Sequence, residues 1–179
     1  MRETVARVVL LRGINVGGHR TFRPSHLAKQ LEHLDVVNIG AAGTFVVGAP
    51  ITRAELRSEL ARRLPFSTEI VICEGREFAR MVAEDPFAEV PARPDIVRFV
   101  SILSRRSRSA PATPATFPPR GQWLLRILAA ENRFVFGLYR RHMKVIGYLG
   151  ALDRMFGVPV TTRNWNTVTA IAAVLSVRS

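Results

Sequence analysis

The chain has 179 residues, 47% of them apolar, and carries 26 lysines and arginines against 14 acidic residues, a net charge of +12 with a pI near 11.5. Such a length suits one domain or two small subdomains sharing a core, and no apolar run approaches the roughly 20 residues of a membrane span. The charge predicts attraction to polyanions, but only Lys29 and Lys144 are lysine and the arginines are dispersed, with tight clusters only at Arg105, Arg106, Arg108 and at Arg140, Arg141.

The first apolar stretch, Thr4 to Leu11, has the β-branched density of a strand covered on both faces. Because that stretch is assigned to the fold, no cleavable secretory signal is expected, and the expected compartment is the cytoplasm. A glycine-rich turn follows, Leu11-Arg12-Gly13-Ile14-Asn15-Val16-Gly17-Gly18-His19-Arg20. Pro24 to Leu34 then places Leu27, Leu31 and Leu34 at helical spacing, with Pro24 suited to the first turn.

Val36 to Ile39 and Thr44 to Val47 read as a hairpin around Gly40-Ala41-Ala42-Gly43. Thr52-Arg53-Ala54-Glu55 is a capping box for a helix carrying Leu56 and Leu60, ended by Pro65, and Glu69 to Cys73 is a fourth strand. This order, strand, helix, strand, strand, helix, strand, is the split βαβ pattern of a ferredoxin-like unit. Cys73, the sole cysteine, sits in an apolar run and reads as a buried small hydrophobe.

A connecting helix, Gly75 to Glu84, leads into a proline-punctuated link, Pro86 to Pro94. A second unit begins with a strand over Asp95 to Leu103 and continues with a hairpin, Gln122 to Ala130 and Arg133 to Tyr139. A helix over Ile146 to Phe156 comes next, then a short extended piece, Val158 to Val160. Thr162 or Asn164 is expected to cap a final helix from about Trp165. The second unit lacks a first helix: Arg105 to Arg120 is proline-rich and reads as an extended, mobile loop, either a solvated linker or a polyanion-binding arm. The expected fold class is therefore α+β: two ferredoxin-like units packed into one compact body, residues 1–74 and 95–179, joined by 75–94, the second ending in the C-terminal helix.

Two motifs, Leu11 to Gly18 and Thr161-Thr162-Arg163-Asn164-Trp165-Asn166-Thr167-Val168, resemble those of the domain of unknown function 1697 family. Its members open on a strand running into a leucine-arginine-glycine-isoleucine-asparagine-valine-glycine-glycine loop and close on an arginine-asparagine-tryptophan-asparagine segment. The resemblance implies paired ferredoxin-like units and names no activity. This chain departs from the family at Ala41-Ala42-Gly43-Thr44, where a glutamine-serine-glycine-asparagine segment is usual. It departs again at Gly147-Tyr148-Leu149-Gly150-Ala151-Leu152, where a serine-lysine pair is common, so roles needing those polar groups are not expected here.

Gly13 to Gly18 matches the glycine spacing of a phosphate loop, but His19 and Arg20 stand where lysine and a hydroxyl residue are required to reach phosphate and magnesium. What remains is either a turn whose glycines supply positive φ, or a nest of amides for one anionic group flanked by Arg12 and Arg20. Around Trp165 the bland reading is a helix cap and a core plug. The functional one has Arg163 clamp a carboxylate or phosphate while the Asn164 and Asn166 amides orient it.

The expected ligand site joins Arg12, Gly13, Asn15, Gly17 and Gly18 to Arg163, Asn164, Trp165 and Asn166, on the expectation that the two stretches lie side by side. Its ligand is a small phosphate- or carboxylate-bearing molecule; nucleic acid bound by the basic surface is the alternative partner, and no membrane contact is expected. No cofactor and no metal is expected, since His26 and His33 on one helix would stand about 10 Å apart, too far to share a zinc ion. No paired carboxylates or nucleophile present themselves, so whether the chain is an enzyme stays open. Phe134, Phe136 and Leu138 share one strand face and invite comparison with an RNA-stacking platform, against the bland reading of a core face.

Overall fold

A computed structural model describes residues 6–13 and 22–178. By its internal contacts the chain divides into two units, Met1–Glu84 with Asn166–Ser179, and Asp85–Trp165.

The first unit is built as β1 (Arg7–Leu11), α1 (Pro24–Gln30), a 3-10 turn (Glu32–Leu34), β2 (Val36–Asn38), β3 (Thr44–Val47), α2 (Arg53–Arg63), β4 (Ile70–Glu74) and α3 (Gly75–Ala83). Its sheet is antiparallel in the order β2-β3-β1-β4. Strand alternation sorts the apolar residues onto two faces. Val9, Leu11, Phe45, Val47, Ile70 and Ile72 pack with Leu27 and Leu31 of α1 and Leu56 and Leu60 of α2. Val8, Leu10, Val46, Val71 and Cys73 occupy the other face and are just as buried, as the unbroken apolarity of β1 requires.

α2 begins where its sequence says it should. The Thr52 hydroxyl accepts from the Glu55 amide at 3.2 Å, and the Glu55 carboxylate accepts from the Thr52 amide at 3.0 Å. These two bonds satisfy donors that a helix start otherwise leaves unmade. The helix proposed over Pro24 to Leu34 instead stops at Gln30 and tightens into the 3-10 turn, which ends at Asp35 in the left-handed region (φ 54°).

The chain returns to this unit at its end. α5 (Trp165–Ser176) buries Val168, Ile171 and Leu175, one stripe at helical spacing. A methyl on Gly75 would come within 2.8 Å of the Leu175 side chain and 2.7 Å of the Ala6 carbonyl oxygen, so the start of α3 admits only glycine without movement. Beyond α5, Arg178 forms an ion pair with Asp35.

The second unit comprises β5 (Ile96–Leu103), β6 (Ala115–Phe117), β7 (Leu125–Glu131), β8 (Phe134–Arg140), α4 (Val145–Phe156) and β9 (Val160–Asn164), in an antiparallel sheet ordered β6-β7-β8-β5-β9. Phe99, Leu103, Leu125, Ile127, Val135 and Val160 form a core with Val145, Leu152 and Phe156 of α4. The Asp153 carboxylate accepts from the Val160 amide at 3.0 Å, linking α4 to the start of β9.

Two expectations are corrected here. Part of the proline-rich segment is not loop: Ala115–Phe117 pairs with Leu125–Ile127 as the sheet's edge strand, and the exposed prolines on either side fit an edge, where a missing donor is tolerated. Thr162 is no helix cap either, because β9 runs through to Asn164.

Candidate functional site

β9 pairs with β5 on one side only, with Phe99 to Leu103 opposite Asn164 to Val160. The register puts Thr161 and Arg163 on the face shared with Ile102 and Val100, and Thr162 on the opposite face with Ser101. Arg163 is 8% exposed and Thr161 1% exposed. The Arg163 Nη1 donates to the Thr162 carbonyl at 2.9 Å. Burial, which disfavours the charged form, lowers its pKa to about 10. The guanidinium therefore stays protonated at neutral pH while largely withdrawn from water.

The Thr161 hydroxyl has no hydrogen-bond partner among the described residues. Buried hydroxyls are nearly always bonded, since leaving one unmet costs the lost solvation in full. On the other face of the same strand, the Thr162 and Ser101 hydroxyls lie 2.6 Å apart and satisfy each other. One residue later the chain turns into α5. Asn164 and Asn166 are exposed, and Trp165 is half-buried with its ring edge-on to Phe87 at 5.0 Å.

Of the glycine-rich stretch, Arg12 and Gly13 are described, while Asn15, Gly17 and Gly18 lie outside the described residues, as does His19. The Arg12 amide donates to the Glu69 carbonyl at 3.1 Å, and the Thr68 hydroxyl donates back to the Arg12 carbonyl. Gly13 is exposed with φ of 61°, a conformation that suits glycine, and open space surrounds it. Phe22, where the described chain resumes, packs edge-on against Phe66 at 5.4 Å. Both ends of the stretch thus rest on the turn joining α2 to β4. Leu64, Pro65, Phe66, Ser67 and Thr68 of that turn, with Ala61 and Ile70, line a cavity of about 340 Å³.

The expectation that the two stretches lie side by side falls in part on Asn15, Gly17 and Gly18, outside the described residues. Sequence reasoning singled out Arg163 for its charge and missed Thr161, whose burial and unmet hydroxyl leave no trace in residue type.

Phe134, Phe136 and Leu138 are 7%, 5% and 5% exposed, so this face presents no aromatic surface for bases to stack on. Among the described residues no three histidine, cysteine or acidic side chains cluster as metal ligands would, and His26 and His33 are both exposed. No helix among them is long and apolar enough to cross a membrane.

These features belong to a mixed α/β protein with two antiparallel sheets and five α-helices among its described residues. The chain belongs to the family described as "Protein of unknown function (DUF1697)", which it matches over residues 5–118. Its structure is similar to that of the conserved bacterial protein SP0830 from Streptococcus pneumoniae, with a TM-score of 0.62 at 14% identity, covering 96% of this chain and 98% of the other. At that identity the likeness concerns the fold. No curated protein matches the chain.

Proposed function

We propose that the protein binds a small phosphate- or carboxylate-bearing ligand, with Arg163 as the charge that holds it. The observation carrying this reading is the pairing, two residues apart on one strand face, of a buried guanidinium with a buried hydroxyl that has no partner among the described residues. Burying a charge is costly, and an unmet hydroxyl adds to that cost, so a stretch of chain that keeps both gains stability by exchanging either for an apolar side chain. An oxyanion can accept from the Thr161 hydroxyl and from a neighbouring guanidinium at once. The exposed amides of Asn164 and Asn166 and the half-buried ring of Trp165 adjoin them in sequence and complete this group of ligand residues.

Arg12, Gly13, Asn15, Gly17 and Gly18 form the second group in this reading. The cavity beside the glycine-rich stretch supports it, because Leu64, Pro65 and Phe66 suit an apolar ligand portion and Ser67 and Thr68 a polar one. We further infer that the first unit is ferredoxin-like, a reading supported by its strand, helix, strand, strand, helix, strand order and by the strand sequence β2-β3-β1-β4. Binding alone is proposed, without a reaction, and the cytoplasm is the compartment proposed for it.

A thermal-shift screen of nucleotides and organic acids on the wild type and Arg163→Ala tests the proposal. The expected result is a ligand that raises the melting temperature of the wild type and not of the variant. A ligand that stabilises both proteins equally removes Arg163 from the site.

A further inference from the structure

The second unit carries a different cationic arrangement, centred on Trp123. The guanidinium carbon of Arg126 lies 4.5 Å from the centre of the Trp123 ring and that of Arg140 lies 4.4 Å from it, both well inside the roughly 6 Å reach of a cation–π contact. Arg140 is held further by two bonds, donating from Nε to the Trp123 carbonyl and from Nη1 to the Asp95 carboxylate, each at 3.0 Å. Arg126 differs: among the described residues its guanidinium has the indole ring beside it and no hydrogen-bond acceptor. Arg126 is thus half-buried, its guanidinium against the ring and its N–H donors without an acceptor among the described residues.

The sheet register shows what stands around it. Thr116, Arg126, Leu138 and Arg98 form one row across β6, β7, β8 and β5, and Arg140 lies two residues beyond Leu138 on the same face. Two strand spacings separate Arg98 from Arg126, about 10 Å between backbones. Asp95 cannot neutralise this end of the sheet. Arg93 and Arg140 both bond to it at 3.0 Å, so two arginines share one carboxylate, and Arg141 stands beside them, donating to the adjacent Pro94 carbonyl at 3.1 Å. Its pKa is held below the ordinary value mainly by the hydrogen bond from Arg93.

We infer that the surface around Trp123, beyond the buried part of this face, binds a single strand of nucleic acid, with Arg126 and Arg140 taking backbone phosphates and the planar Arg–Trp group taking an unpaired base by stacking. Successive phosphates of a strand stand only a few ångström apart and so meet Arg126 and Arg140 together, each with its own charge, as one small anion does not. Guanidinium and indole planes are the surfaces on which unpaired bases stack, and a duplex or a lipid headgroup offers them no exposed base. The net charge of +12 favours a polyanion in the same direction. Arg126 and Trp123 replace the Arg105 to Arg108 cluster as the centre of this alternative, since that cluster is exposed with one contact, Arg106 to Asn132 at 3.5 Å.

Fluorescence anisotropy with a labelled oligo-dT of about 12 nucleotides, at about 50 and 200 mM salt, tests the inference on the full chain. Arg126→Gln is expected to weaken binding about tenfold and to reduce the salt slope by about 0.7, the contribution of one single-strand phosphate. Arg80→Gln removes the same charge from the exposed, Glu84-paired arginine of α3 and should change affinity less than about twofold. Arg126→Lys keeps the charge without the plane and should fall between; it also serves if Arg126→Gln loses its cooperative melt. Four results overturn the site: no binding at the lower salt, equal losses for Arg126→Gln and Arg80→Gln, displacement of the strand by inorganic phosphate at equal phosphate concentration, or Arg126-dependent binding to anionic vesicles without binding to the oligonucleotide.

Discussion

Thr161 and Thr162 are neighbours on β9 with opposite fates: the Thr162 hydroxyl lies 2.6 Å from that of Ser101, and the Thr161 hydroxyl, the more deeply buried of the two, meets no partner among the described residues. Strand alternation alone separates them, so replacing each with valine asks two different questions of one stretch of backbone. Thr161→Val removes an unmet polar group and should raise the unfolding free energy by about 1 kcal/mol, while Thr162→Val strands the Ser101 hydroxyl and should lower it by about 1–2 kcal/mol. Urea denaturation of the unliganded proteins measures both. Equal losses would mean that the Thr161 hydroxyl is satisfied in solution, which removes one of the two supports for an oxyanion on that face.

The capping box makes a prediction about acid. Thr52 bonds, side chain first, hold the Glu55 carboxyl below its ordinary value of 4.5. A depressed carboxyl favours the folded state above the unfolded pKa and loses that contribution as pH falls through the folded one. Thr52→Ala should therefore cost about 1 kcal/mol near neutrality, and the gap to the wild type should close as the buffer is taken below about pH 4.5. A gap that stays constant down to pH 3 would show that the box contributes through something other than the ionised Glu55.

Gly137 and Gly150 should respond to alanine with opposite signs. On β8 the Phe99 ring lies across Gly137, and an added methyl would also approach the Arg126 carbonyl oxygen to 2.6 Å. Gly137→Ala then forces a packed sheet apart and should cost about 1–3 kcal/mol. Gly150 is exposed on α4 with open space around it, and Gly150→Ala should gain about 0.5–1 kcal/mol by relieving the backbone entropy cost of a helical glycine. Melting temperatures of the two variants decide the matter; a destabilised Gly150→Ala would place an unseen contact on that helix face.

How far the sequence could be read depended on whether the signal was local. Thr52 and Glu55 stand three residues apart and interact with each other, so the start of α2 was plain from residue types. The alternation and apolarity of Val8 to Leu11 likewise announced a central strand, and Cys73 a buried position, at 1% exposure. β6 was hidden because its three residues stand between prolines and have no meaning until Leu125–Ile127 arrives beside them. The Thr161 hydroxyl and the stacking of Arg126 and Arg140 on Trp123 were hidden for the same reason: burial and cross-strand neighbours are set by register, which no stretch of β9 or β7 encodes by itself. Arg163 fell between these cases, its charge readable and its burial not.

That burial gives Arg163 a signature in alkali. Its pKa is lowered to about 10 in the folded chain because desolvation disfavours the cation. Below about pH 10 both folded and unfolded states hold the proton, and the cost of burying the charge is constant. Above about pH 10, up to the ordinary guanidinium pKa, the unfolded state binds more protons than the folded one, so this residue's contribution to stability rises with pH there. Completed, the change would be on the order of 3 kcal/mol; by pH 11 about 1 kcal/mol of it should be visible. Tyr139 titrates in the opposite sense, its pKa raised chiefly by burial, so its contribution is lost as pH rises beyond the unfolded value of 10.0. Comparing the wild type with Arg163→Gln cancels that background, because Tyr139 is common to both. The expected result is a stability difference that is flat from pH 7 to 9 and then moves in favour of the wild type as pH rises to 11. Any anion held by Arg163 should also lose affinity over the same range, as the neutral guanidine replaces its counter-charge. A difference that remains flat through pH 11 would mean that Arg163 keeps its ordinary pKa, and the costly buried cation on which the ligand reading rests would be gone.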